Sequence, residues 1–216
     1  PLGLVDMNKW NTLAEKYRLI KYPKFEQFVI GSIVQSLERT SVNVRSDRTL
    51  IILSTTKGNI DLVTAQPIIP RDAYLWQSAK NIQDYFNAVN EPLVISNACI
   101  SGVLAINTAA RLIMSQMYDH VIVTGADIIS KFVVSGFQSF KSLSAEPCKP
   151  FDKNRDGLSL GEGAGTIILS GTEKSSVRYL NGSSANDANH ISGPSRTGEG
   201  LYIAIRKTLE GYSQQI

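Results

Sequence analysis

Pro92-Leu93-Val94-Ile95-Ser96, the apolar run over residues 101–117, and His120-Val121-Ile122-Val123-Thr124-Gly125-Ala126 decide the fold. The first and last are short, β-branched runs ending in small residues, the pattern of buried parallel strands. Between them Val103, Leu104, Ile106, Ala109, Ala110, Leu112, Ile113 and Met114 leave almost no polar face, which predicts a helix lying inside the protein. Strand, helix and strand within roughly 35 residues make a βαβ unit, with a right-handed crossover and a parallel pair.

The same alternation extends in both directions. Thr49-Leu50-Ile51-Ile52-Leu53-Ser54-Thr55 is another buried strand, ending in small polar residues before Gly58. A loop with Pro67 and Pro70 leads to residues 72–89, where Leu75, Ala79, Ile82, Tyr85 and Phe86 take the spacing of an amphipathic helix. Downstream, residues 132–143 read as a short helix and 147–157 as a turn-rich loop. Residues 163–171 and 175–181 read as neighbouring strands joined at Gly171-Thr172-Glu173, and 199–211 as a closing helix with Leu201, Ile205 and Leu209 on one face. The first forty residues hold Trp10, Leu13 and Tyr17 at helical spacing, a break at Tyr22-Pro23 and a second helical stretch near 25–38, neither diagnostic. The expectation is one α/β domain, with residues 1–45 as a helical lead-in and 46–216 as the core, and no internal repeat.

Composition narrows the classes. A chain of 216 residues, 43% hydrophobic and 19% charged, can bury a real core. Its apolar runs stop well short of the roughly twenty residues that cross a bilayer. Residues 1–10 lack the basic-then-apolar pattern of a secretory signal, and a chain opening on Pro1 has been processed or cut, so a cytoplasmic setting is the default. The formal charge of +3 comes from scattered Lys and Arg, unlike the basic stripe of a nucleic-acid binder, and leaves room for an acidic protein partner. Two cysteines, Cys99 and Cys148, are too few for a disulfide framework and read as free thiols.

Cys99 sits in Ile95-Ser96-Asn97-Ala98-Cys99-Ile100-Ser101-Gly102, where a buried strand hands over to a buried helix. The unpaired N–H groups and positive dipole end of such a helix favour a thiolate, and can also donate to an oxygen that turns negative during acyl transfer. Small neighbours (Ala98, Ser101, Gly102) leave room for a thioester. The alternative is one more small buried hydrophobe. A hydrolase nucleophile elbow would carry glycine where Asn97 stands.

Three segments together resemble the β-ketoacyl synthases, the condensing enzymes of fatty-acid and polyketide assembly. Asn97-Ala98-Cys99-Ile100-Ser101-Gly102 is similar to their active-site elbow, and Val121-Ile122-Val123-Thr124-Gly125-Ala126-Asp127 to the strand that follows it. Pro147-Cys148-Lys149-Pro150-Phe151-Asp152 running into Gly161-Glu162-Gly163-Ala164-Gly165 resembles the family's Cys-Arg-Pro-Phe-Asp block and glycine-rich strand. Residues 184–200, with Asp187-Ala188-Asn189-His190, are similar to its next segment, so the likeness covers roughly residues 25–210.

The resemblance implies the N-terminal half of a thiolase-like fold: a mixed, mostly parallel sheet of about five strands with helices on both faces. It implies that Cys99 accepts an acyl chain from acyl carrier protein for condensation with malonyl carrier protein, without a cofactor. Decarboxylation falls to two residues of the family's second half, usually histidines. Members are typically homodimers, with the strand before Cys99 near the dimer axis. The chain departs from the pattern at both ends: the opening strand is not recognisable before Trp10, and the chain stops where the first histidine motif is expected. The fragment alone is therefore expected to lack condensing activity. His120, opening a strand on the side remote from the elbow, reads as a surface residue. His190 and Phe137 fall where the family contacts substrate, and Cys148 matches a structural position. Two alternatives are a non-catalytic partner of the chain-length type, against which Cys99 argues, and a thioester hydrolase using Cys99 with His190.

Two rival motifs fail on their second halves. Asp152-Lys153-Asn154-Arg155-Asp156-Gly157 opens like a calcium loop, but Gly163 stands where the bidentate glutamate belongs; a turn held by pairing of Asp152 with Arg155 is expected. The glycines of 161–165 enter a strand and offer no helix N-terminus to a pyrophosphate. Asn181-Gly182-Ser183 has the form of a glycosylation sequon, without significance in a cytoplasmic protein.

Overall fold

The computed structural model describes residues 2–64, 68–187 and 195–210. At its centre is a four-stranded sheet in the order β3 (Leu93–Ile95), β2 (Thr49–Ser54), β4 (His120–Asp127), β6 (Gly163–Ser170). β2 is parallel to both neighbours, with Leu53 opposite Val94 on one side and Ile51 opposite Ile122 on the other. β6 runs antiparallel to β4, Thr124 facing Thr166. β1 (Leu2–Gly3) and β5 (Leu160–Gly161) form a separate short parallel pair.

Side chains alternate across a strand, and along β2 that alternation assigns the two faces. Ile51 and Leu53 point toward α2 (Lys24–Leu37) and α3 (Leu75–Phe86), in a core with Phe25, Phe28, Ile30, Ile33, Ile82 and Ile122. Leu50 and Ile52 point to α4 (Ser101–Met114), packing with Ala105, Ala109, Val121 and Val123. The α/β class with helices on both faces is therefore the observed architecture. α2, undiagnostic in the sequence, supplies five apolar side chains with at most 1% exposure, Phe25, Phe28, Val29, Ile30 and Ile33.

Local chemistry sets the helix ends. The Asp6 carboxylate accepts the N–H groups of Asn8 and Lys9 to cap α1 (Met7–Lys16), and Trp10 of α1 meets the Phe28 ring edge-on at 4.6 Å. Asn87 closes α3 in the left-handed conformation, φ 51°. Ser130 caps α5 (Lys131–Ser139) by accepting the Val133 N–H. α6 (Glu199–Leu209) is the last helix among the described residues, and its Leu201, Ile205 and Leu209 are exposed.

Two expectations are corrected. α4 is not enclosed: it buries Ala105, Ala109 and Ala110 against the sheet, while Val103 is 59% and Met114 75% exposed. A helix apolar all round needs a layer on each side, and the described residues pack against one side only. Residues 175–181 form no strand. The Ser170 hydroxyl accepts the N–H groups of Thr172 and Glu173 in a tight turn, and the chain then runs along the surface with Val177 82% exposed. Tyr179 is held by a side-chain bond instead of a ladder, its hydroxyl donating to Asn107 Oδ1 of α4 at 3.1 Å.

Candidate active site

The C-terminal ends of the parallel strands β2, β3 and β4 lie together, the edge at which open α/β sheets bind ligands. β3 stops at Ile95, a single 3₁₀ turn spans Ala98–Ile100, and α4 starts at Ser101. Ala98, immediately before the cysteine, has φ 44°. A residue bearing a Cβ pays roughly 1–2 kcal/mol there, so the elbow is held by its surroundings. Ser101, only 6% exposed, bonds on both sides of Ala98: its Oγ accepts the Asn97 N–H at 2.8 Å and donates to the Ala98 carbonyl at 2.7 Å. Its own N–H also goes to that carbonyl.

Cys99 is an exposed free thiol lining a cavity of about 580 Å³, with residues 54–57 at and just beyond the end of β2, residues 125–127 at the end of β4, and residues 161–165. The close approach of β2 and β4 explains Gly125, since a Cβ there would meet the Ser54 carbonyl oxygen at 2.7 Å. Lys57 Nζ and Asp127 Oδ1 pair at 2.7 Å, tying the ends of these two strands together at the cavity wall.

Two buried carboxylates support this edge. Glu162, its side chain 2% exposed, accepts from Lys24 Nζ at 2.6 Å and from the Ile129 N–H at 3.1 Å. Burial pushes its carboxyl up, but Lys24 and the N–H groups of Ile129 and Val5 together hold it below the usual glutamate value. Glu26, fully buried on α2, accepts from Asn59 Nδ2 at 2.8 Å and from Asn81 Nδ2 at 3.0 and 3.2 Å. Here burial outweighs the amide donors and raises the carboxyl above its usual value. Asn59 also donates to the Asp72 carbonyl and Ser78 Oγ, so the cluster anchors the chain just after the cavity-lining residues Thr55–Lys57.

The sequence-derived site residues are not all brought together. Cys99 is in the cavity. Phe137 is half-buried on α5 and is not among the residues that line it. His190 lies outside the described residues. His120 opens β4 at the opposite end from Asp127, roughly 23 Å away by strand rise, and its Nδ1 is buried without a hydrogen-bond partner among the described residues. Cys148 is a half-buried free thiol; hydrogen bonding by the Ser159 backbone and then its hydroxyl lowers the thiol's pKa, and the Cys148 N–H donates to Ser159 Oγ at 3.0 Å. In the Asp152 turn, Arg155 donates to the Asp152 carbonyl and not to its carboxylate, which takes the Asn154 N–H. Asp156 accepts from Ser144 Oγ at 2.6 Å. Among the described residues no group of three or more His, Cys, Asp or Glu is placed to hold a metal ion, and no helix is long and apolar enough to cross a membrane.

Ser54, Thr55, Thr56, Lys57 and Asp127 were given no part in the site from sequence, and Ser101 was read only as a small neighbour of Cys99. Their available signal was the abrupt change from apolar to small polar residues at the end of each strand, where a strand end is also a cavity wall.

Comparison with known proteins bears on the whole arrangement. Residues 52–175 match the family model for the N-terminal domain of β-ketoacyl synthases. The 3-oxoacyl-[acyl-carrier-protein] synthase 2 of Vibrio cholerae is 26% identical over 219 residues, covering 88% of this chain and 53% of that protein. The corresponding Rhizobium meliloti enzyme is 31% identical over 131 residues, 54% of this chain and 31% of that one. The chain thus spans about half or less of these relatives. Among solved structures, a ketosynthase in complex with its chain length factor from Xenorhabdus doucetiae superposes with a TM-score of 0.76 at 26% identity, covering 97% of this chain and 56% of that one. The ishigamide ketosynthase/chain length factor, at 20% identity and a TM-score of 0.77, shares the fold over 88% of this chain.

Proposed function

This chain belongs to the β-ketoacyl synthase family, whose N-terminal domain it carries, and on that footing we propose that Cys99 accepts the acyl group in a decarboxylative condensation. The observation that supports this most directly is the position of Cys99: on a strained elbow, at the start of α4, open to a cavity of about 580 Å³. A thiol walled off in the core could not meet a thioester carried on a pantetheine arm.

In the proposed first step the Cys99 sulfur attacks the carbonyl carbon of an acyl thioester on acyl carrier protein. The new C–S bond forms, the bond to the carrier sulfur breaks, and the proton of Cys99 ends on the departing thiol, leaving the acyl group on Cys99. In the second step a malonyl thioester loses carbon dioxide, and the resulting carbanion attacks the carbonyl carbon of the Cys99 thioester; the bond to the Cys99 sulfur breaks, releasing a β-ketoacyl carrier and a thiolate that takes a proton from water. The resemblance assigns decarboxylation to histidines of the family's second half. His120, at the remote end of β4, is not offered for that role. Phe137 and His190 are proposed as substrate contacts on the resemblance alone.

The partners proposed are an acyl carrier protein and a second ketosynthase-like chain, either a copy of this one or a chain length factor as in the Xenorhabdus and ishigamide complexes. The test is acylation. The 216-residue chain is incubated with a hexanoyl-pantetheine thioester and digested for mass spectrometry. A stable hexanoyl adduct on Cys99, absent in Cys99→Ala and unchanged in Cys148→Ala, is the expected result. Turnover of the thioester without an adduct favours hydrolysis, and no reaction at an otherwise alkylatable Cys99 favours a non-catalytic partner.

A further inference from the structure

The hydroxyl of Ser101 does something the proposed reaction does not by itself require. It spans the elbow, accepting the N–H of Asn97 on one side of Ala98 and donating to the carbonyl of Ala98 on the other, at 2.8 and 2.7 Å. Ser101 is 6% exposed, so these bonds are not traded freely with water. The residue they bracket is the one whose backbone is strained: Ala98 at φ 44°, a region that side chains with a Cβ rarely adopt. A rotation about that φ swings every atom that follows it, and the next residue is Cys99.

Resting on the assignment of Cys99 as the acyl acceptor, we infer that Ser101 is a positioning residue, whose hydroxyl clasps Ala98 in its left-handed conformation and so aims the Cys99 sulfur into the cavity. The hydroxyl proton is committed to the Ala98 carbonyl, and one oxygen lone pair to the Asn97 amide. Ser101 therefore acts through the backbone and not as a proton carrier to sulfur. α4 begins without a side-chain cap hydrogen bond to its own N–H groups, so the serine at its first position is not serving the helix in the usual capping role. Without the clasp the elbow relaxes toward negative φ and the sulfur turns from the approach line of a thioester, while staying open to a small reagent.

That mechanism has a signature that a purely structural serine lacks. Glycine adopts positive φ at no steric cost, so Ala98→Gly removes the need for a clasp. The experiment uses the full 216-residue chain and measures two rates on Cys99 by intact mass: acylation by hexanoyl-pantetheine, which requires aim, and alkylation by iodoacetamide, which requires only access. Circular dichroism follows the fold of each variant. In Ser101→Ala, acylation is expected to fall at least about tenfold while alkylation stays within about twofold. In Ala98→Gly/Ser101→Ala, acylation is expected to return to within about threefold of the parent.

Equal acylation by the parent and Ser101→Ala overturns the inference and leaves the Cys99 assignment standing. A parallel fall in both rates, or failure of Ala98→Gly to restore acylation, also overturns it. If Ser101→Ala does not fold, a folded and acylating double variant supports the clasp, and two unfolded variants overturn it by showing that the hydroxyl serves the fold. A parent chain that is alkylated but never acylated instead removes the acyl-acceptor reading, and this inference with it.

Discussion

The two faces of the central sheet are built from different materials. One is sealed by α2 and α3 with large side chains, Phe25, Phe28, Ile30, Ile33 and Ile82, all within 1% of complete burial. The other carries α4, which meets the sheet through Ala105 and Ala109 and leaves Val103 and Met114 exposed. Stability scales with apolar area removed from water, so the first face holds the larger share of it. The second gives up that share to bring a helix start and its elbow close to the strand ends, where small residues let the backbones approach. Cys99 therefore sits on the less stabilised side of the molecule, supported from behind by the more stabilised one.

The largest expected effect tests that division directly. Phe28→Ala opens a cavity between α2, the sheet and Trp10, and should cost about 3–5 kcal/mol in urea unfolding. Were the loss closer to 1 kcal/mol, the α2 face would not be the dominant core and the comparison would have to be abandoned.

A medium-sized effect separates the two buried carboxylates, whose pKa values shift in opposite directions. Glu162 is held below its ordinary value, so the folded state binds fewer protons than the unfolded one just below pH 4.3. Its contribution is present above that pH and is lost as the pH falls through the folded value. Glu26 is raised, so the folded state holds its proton longer, and stability declines as the pH climbs from about 4.3 through the folded value. Glu162→Gln should lower stability at neutral pH by about 2 kcal/mol, having lost a charge-assisted bond to Lys24, and should flatten the acid limb of the profile. Glu26→Gln keeps an amide partner for Asn59 and Asn81 without a buried charge. It should raise stability at neutral pH by about 1 kcal/mol and remove the decline on the alkaline side. Identical profiles for the two variants would mean that neither carboxylate is perturbed as its surroundings imply.

How much of this could be read in the residues differs by region. The strand-helix-strand unit was legible because two short β-branched apolar runs ending in small residues flank an apolar run of helical length, and the elbow was legible because Cys99 lies at the join of the first strand and the helix. α2 was not recognised as the main core helix because Glu26, a charged residue among Phe25, Phe28 and Val29, breaks its apolar stripe; only the amides of Asn59 and Asn81, 33 and 55 residues away, make its burial tolerable. The pairing of Lys57 with Asp127 follows from the β2–β4 register, Ser54 opposite Gly125, which no local pattern encodes. The positive φ of Ala98 was equally hidden, since alanine gives none of the signals that glycine or asparagine would.

The smallest expected effect probes the open face. Val103 and Met114 lie on the outer side of α4, and replacing each with glutamine exchanges an exposed apolar side chain for a good helix former. Very little contact is lost at 59% and 75% exposure, so Val103→Gln and Met114→Gln should each change unfolding stability by less than about 0.5 kcal/mol. The informative measurement is the dependence on protein concentration. If the parent chain is monomeric, both variants unfold at the parent's urea midpoint at every concentration. A midpoint that rises with concentration in the parent and not in the variants would mean that this face is covered by a second copy in solution. The contrast between a sealed and an open face would then belong to the isolated chain and not to its assembled state, because a helix that buries small residues inward and large ones outward gains its missing area only through a partner.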